Sequence, residues 1–172
     1  MAELLAASDD RATSAVVILG LGNLLRGDEG LGVRALWQLQ ESYRLPAGVR
    51  LVDGGTLGLE LLDEVESTEK LLVLDAALTD HPEGAIIRLE GDAVPAFIAV
   101  HAGAHDTGLA EVLALARFRD REPEEIVVLG MQPATIELGW GLSPEVSKRL
   151  FGLVEAATAE LHRWGFECTA RH

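Results

Sequence analysis

Short apolar runs alternate along this chain with segments in which apolar residues recur every three or four positions. The runs predict strands at Ala15–Leu19, Val49–Asp53, Lys70–Asp75, Ala85–Glu90 and Ile126–Gln132. Because Lys70–Asp75 is apolar without interruption at its centre, we expect it to be buried on both faces. Apolar and polar residues alternate less clearly in Ala85–Glu90. We expect this strand at an edge of the sheet, where it could run antiparallel to its neighbour.

The helical period fills the segments between these strands. It predicts helices at Gly30–Tyr43, Leu57–Glu64, Thr107–Arg119 and Ser143–Trp164. We expect residues 91–106 to be irregular. Alternating strands and helices indicate a single α/β domain, with a twisted, mainly parallel five-stranded sheet and helices on both faces. We place this domain at 15–166, after an N-terminal arm (1–14) and before a C-terminal tail (167–172).

The first strand leads into a glycine-rich segment, Gly20–Gly30. A dinucleotide-binding fingerprint would need a third glycine where Leu25 stands. Asp28 and Glu29 would also place negative charge where a phosphate must lie, so phosphate or nucleotide binding is disfavoured. A purely structural role for these two acids remains open, because carboxylates in a first turn complement the helix macrodipole.

Charge and composition narrow the range of partners. The 172 residues include 28 acidic and 14 basic side chains, for a formal net charge of −14. Such a surface repels nucleic acid and anionic lipid, so we expect neither as a partner. The single cysteine, Cys168, agrees with a reducing compartment, and Met1–Ser14 lacks the features of a signal peptide. We expect a cytoplasmic monomer.

Three residues with metal-binding side chains stand in predicted loops between a strand and a helix: Glu29, Asp75 and His105. Asp75 ends the most apolar strand, where a carboxylate is costly unless it is paired or bound to a cation. A turn cap at Asp75 and a surface position for His105 are the structural alternatives. Together, two carboxylates and one imidazole suit nickel, zinc, manganese or iron, and leave positions open for water or substrate.

Other hydrolytic and signalling sites are excluded by what the sequence lacks. It contains no His-Glu-x-x-His motif, no Gly-x-Ser-x-Gly motif and no cysteine-protease context around Cys168. An acidic site of the kind found in receiver domains would need a lysine in or near the last strand, and the sequence has no lysine there. His81 and His101 remain competitors of His105 for any functional role.

Four linked segments resemble the [NiFe]-hydrogenase maturation proteases. They are Gly20–Gly32, Asp53–Thr56, Leu72–Ala76 and His105–Leu109. They occur in the family's order and spacing, and the resemblance covers about Val16 to Trp164. The chain departs from the family's pattern in its Met1–Ser14 extension and at Asp106, where a glutamine often follows the histidine.

The resemblance implies an endopeptidase that removes a short C-terminal extension from the hydrogenase large-subunit precursor after nickel insertion. By the same resemblance, Glu29, Asp75 and His105 would contact nickel, which the bound precursor would supply. Zinc or cadmium would substitute in the isolated protein. Asp53 is a candidate general base, and a cap for the following glycine turn is its structural alternative. A non-catalytic nickel-binding chaperone that inspects the precursor is the rival function.

Overall fold

A five-stranded sheet forms the centre of the structure, a computed structural model that describes residues 14–96 and 107–171. Its strands are β1 (Ser14–Leu21), β3 (Val49–Gly55), β4 (Thr68–Ala76), β5 (Ile86–Glu90) and β6 (Glu125–Met131). The order across the sheet is β3-β1-β4-β6-β5, and every pair is parallel except β5 with β6. The predicted sheet with one antiparallel edge strand is confirmed.

The helices also follow the predicted order. Two 3₁₀ turns (Gly27–Gly30 and Leu59–Leu61) accompany α1 (Leu31–Ser42), α2 (Leu62–Glu66), α3 (Thr107–Phe118) and α4 (Pro144–Arg163). The Ser143 side chain caps α4 by accepting a hydrogen bond from the backbone N–H of Val146, at 3.3 Å.

Two parts of the sequence-based assignment are wrong. Residues 93–96, expected to be irregular, are helical, and Val94 among them is buried in the core. Four residues are too few to show a helical period in the sequence. Residues 97–106 lie outside the described residues. The chain also forms a second, two-stranded sheet from β2 (Tyr43–Arg44) and β7 (Thr169–Ala170). Strands of two residues are too short to show an alternating pattern, so this pairing, which includes part of the expected C-terminal tail, could not be predicted from local sequence.

Each face of the main sheet carries its own apolar core. Val16 and Ile18 of β1 point to the face covered by α1 and α4, and Val17 and Leu19 point to the face covered by α2 and α3. This alternation within one strand is what places helices on both sides. No helix among the described residues is both long enough and apolar enough to cross a membrane.

Candidate functional site at the carboxyl edge of the sheet

The four parallel strands end at one edge of the sheet, where Asp53 and Asp75 lie. On β1, Gly20 pairs with Asp53 of β3 on one side and with Leu74 of β4 on the other. Asp75 is therefore two strands away from Asp53 and only one residue further along, which corresponds to about 10 Å between the backbones. Ligands of open α/β sheets bind outside this edge.

The turn that carries Glu29 is pressed against the same edge by close backbone packing. Gly22 has φ +120°, and a Cβ built on it would lie 1.7 Å from the carbonyl oxygen of Glu29. A Cβ on Gly32, in the first turn of α1, would lie 2.1 Å from the carbonyl oxygen of Leu74. Only glycine fits at either position. The spacing of glycines in this motif thus brings Glu29 to the ends of β1 and β4.

One carboxylate oxygen of Glu29 accepts no hydrogen bond from the residues that the structure describes. This atom, Oε2, lies 3.1 Å from Nε of Arg26, yet that nitrogen donates its hydrogen to the carbonyl oxygen of Ile136 at 3.2 Å. Oε2 is buried, and no hydrogen-bond donor within the described part of the chain reaches it. Arg26 thus supplies a counter-charge but no hydrogen bond, and a buried carboxylate oxygen in this state retains the capacity to bind a donor or a second cation from a bound molecule.

Asp75 occupies the end of β4, opposite Gly130 of β6. It is half-buried, and its Oδ1 accepts a hydrogen bond of 2.7 Å from the backbone N–H of Ala76. This bond fixes the carboxylate at the strand end. Asp53, in contrast, is exposed on β3, so its carboxylate is accessible to water.

His105, the third predicted ligand, lies outside the described residues, as does His101. The described chain resumes at Thr107, where α3 begins, and Gly108 packs against Gly58 in the segment that follows β3. No cluster of three potential metal-binding side chains occurs in the described ranges, 14–96 and 107–171. The structure thus brings the elements carrying Glu29 and Asp75 into contact, and the full ligand set stays a prediction. His81 is exposed in the loop before β5.

Asp28 has a role that sequence reasoning missed. Its side chain is fully buried, and its Oδ2 accepts hydrogen bonds from the backbone N–H groups of Ala134 (2.9 Å) and Thr135 (3.1 Å). Ser143 donates both its backbone N–H to Oδ1 (2.7 Å) and its hydroxyl to Oδ2 (2.8 Å). Asp28 therefore ties the Glu29 turn to the loop after β6. The macrodipole alternative considered for this acid does not describe its contacts.

Comparisons with known proteins identify the family. Residues 33–160 match the family model described as hydrogenase maturation protease. The hydrogenase expression/formation protein HupD of Rhodobacter capsulatus is 40% identical over 156 residues, which cover 90% of this chain and 74% of the relative. The chain belongs to the hydrogenase maturation protease family. Its predicted membership, and the predicted class of enzyme, an endopeptidase, are confirmed.

Other members agree in sequence and in fold. The hydrogenase 2 maturation protease of Escherichia coli is 34% identical, over 91% of this chain and 96% of that protein. The structure of the hydrogenase maturating endopeptidase HybD from E. coli superposes with a TM-score of 0.87, covering 91% of this chain and 97% of that one. A [NiFe] hydrogenase maturation protease from Thermococcus kodakarensis gives a TM-score of 0.70 at 29% identity, covering 84% and 97%.

Proposed function

We propose that this maturation protease removes a C-terminal peptide from a [NiFe]-hydrogenase large-subunit precursor that already carries nickel. Membership of the family and the names of its relatives support the processing step. The observation that carries the nickel requirement is the buried Oε2 of Glu29, which has no hydrogen-bond donor in the described ranges. This oxygen lies at the same edge of the sheet as Asp75, which stands near the end of β4.

Glu29, Asp75 and His105 are the proposed contacts to the precursor's nickel. Two carboxylate oxygens and a neutral imidazole suit a divalent ion of this kind, and zinc or cadmium would substitute when the isolated protein is given either ion. Nickel held between enzyme and precursor would supply Lewis-acid chemistry at the scissile carbonyl. Arg26 holds the Glu29 carboxylate at 3.1 Å, and the Ala76 N–H orients Asp75.

Asp53 is the proposed general base. Its carboxylate is exposed at the end of β3, two strands from Asp75. From there it can accept a proton from an attacking water without losing any buried contact. A general base must come within hydrogen-bond reach of the water once the substrate is bound.

We further propose that the protein acts as a cytoplasmic monomer, because its net charge of −14 makes copies of the chain repel one another.

The test compares nickel-loaded and nickel-free precursor as substrates. Intact mass spectrometry should show loss of a C-terminal peptide from the loaded precursor alone. Equal cleavage of the nickel-free form would overturn the nickel requirement. Stable binding of the loaded precursor without any change of mass would instead establish the rival function, a chaperone that inspects the precursor.

A further inference from the structure

Exposed apolar side chains are concentrated at the edge of the sheet that carries the site. Eleven large apolar residues are prominently exposed in the described part of the chain, and seven of them lie in segments that follow β1, β3, β4 or β6. We call these seven the apolar rim: Leu25, Leu57, Leu59, Leu78, Ile136, Leu138 and Trp140. An apolar concentration of this kind marks a binding surface for another molecule.

The most exposed part of the rim is held rigidly. Leu138 is 87% exposed and Trp140 is 71% exposed. Between them, Gly139 accepts a hydrogen bond from the N–H of Gly27 and donates one to the carbonyl of Leu25, each at 2.9 Å. These bonds, together with those of Asp28, fix the loop on the Glu29 turn. Binding to a loop that is already ordered loses little conformational entropy.

A guanidinium with two nitrogens that have no acceptor among the described residues lies beside this loop. The guanidinium of Arg34, on α1, stacks over the Trp140 ring at 5.2 Å from the ring centre. Its Nε and Nη2 atoms are buried, and no acceptor within 14–96 or 107–171 receives a hydrogen bond from them. A carboxylate is the acceptor that best fits two guanidinium N–H groups.

We propose that Leu138, Trp140 and Arg34 form the docking site for the precursor polypeptide next to the cleavage point. An apolar stretch of the precursor packs on Leu138 and Trp140, and one carboxylate of the same stretch is received by Arg34. Charge complementarity supports this occupant, because a protein of net charge −14 repels acidic peptides except where it offers an unpaired cation. Arg34 thereby sets the register of the peptide. This inference rests on the proposed function and extends it.

Initial rates on nickel-loaded precursor test the apolar contacts. Leu138→Ser and Trp140→Ala should each raise KM about tenfold or more with kcat little changed, since they remove binding made equally before and during the reaction. Phe118→Ser is the matched control: Phe118 is 85% exposed but lies at the end of α3. Its KM should equal that of the wild type.

Salt dependence tests Arg34. Raising ionic strength screens the general repulsion by the −14 protein in every variant, but it weakens the Arg34 ion pair only where Arg34 is present. The ratio of high-salt KM to low-salt KM should therefore be clearly larger for the wild type and Leu138→Ser than for Arg34→Gln. Unchanged KM in Leu138→Ser and Trp140→Ala, or an undiminished salt effect in Arg34→Gln, would overturn the docking site. Wild-type enzyme that leaves loaded precursor uncut would instead overturn the proposed function, so the two failures are distinguishable.

Discussion

Asp28 is the single residue on which the geometry of the site depends most. Its buried carboxylate accepts four hydrogen bonds from the described residues, three from backbone N–H groups and one from the Ser143 hydroxyl. In Asp28→Asn, the amide NH₂ must face at least one of these donors and leave it unpaired. We expect the free energy of unfolding to fall by about 2 kcal/mol, or roughly 4–8 °C in Tm.

Thermal unfolding followed by circular dichroism measures this loss. Asp80→Asn is the control, because Asp80 is exposed in the loop before β5 and its substitution should change the free energy of unfolding by less than about 0.5 kcal/mol. Equal Tm values for the two variants would show that Asp28 does not hold the loop after β6 to the Glu29 turn.

Among the elements, the contact of α1 with β1 and β4 positions the site. Gly32→Ala would place a methyl group 2.1 Å from the carbonyl oxygen of Leu74, so α1 must move away from the strands. We expect a loss of about 3 kcal/mol in unfolding free energy, at the upper end for overpacking, and lower activity. Gly152→Ala, in α4, meets its nearest atom at 3.5 Å, and should gain about 0.5–1 kcal/mol. Chemical denaturation of both variants tests the opposite signs.

A buried ion pair joins α4 to the edge strand β5. Glu160 is 2% exposed and accepts hydrogen bonds from Nε (2.8 Å) and Nη2 (2.9 Å) of Arg88. The hydrogen bonds to Glu160 raise the pKa of Arg88 above its ordinary value, so the guanidinium stays charged. Glu160→Gln removes the buried counter-charge of Arg88 and leaves only the exposed Glu90 carboxylate, at 2.7 Å from Nη2. We expect a loss of about 2 kcal/mol, below the range for fully buried pairs, because the Arg88 side chain is 30% exposed and keeps this second partner.

The control for that variant is Glu155→Gln on an exposed position of the same helix. Its free energy of unfolding, measured by denaturant titration, should match that of the wild type within about 0.5 kcal/mol. A Glu160→Gln midpoint equal to that of Glu155→Gln would show that the ion pair adds nothing to the attachment of β5.

For the whole molecule, the sequence predicts what local patterns encode. Apolar periodicity, as along β1 and α4, predicted the sheet, the helices and the burial of both sheet faces. The pattern could not reveal that Asp28 binds Ser143, 115 positions later, because no local signal links such distant residues. The exposure of Leu138 also depends on the folded surface, and so does the lack of an acceptor for two Arg34 nitrogens within 14–96 and 107–171. Neither property produces a periodic pattern in the sequence.

Glu29, Asp75 and His105 are proposed to engage the precursor's nickel together during cleavage. The most direct measurement is intact mass spectrometry of nickel-loaded precursor after incubation with wild-type enzyme and with Glu29→Gln, Asp75→Asn, His105→Ala or the control His81→Ala. We expect a mass lower by the C-terminal peptide for wild type and His81→Ala, and an unchanged mass for the other three variants at unaltered Tm. Cleavage at the wild-type rate by any of those three would contradict it.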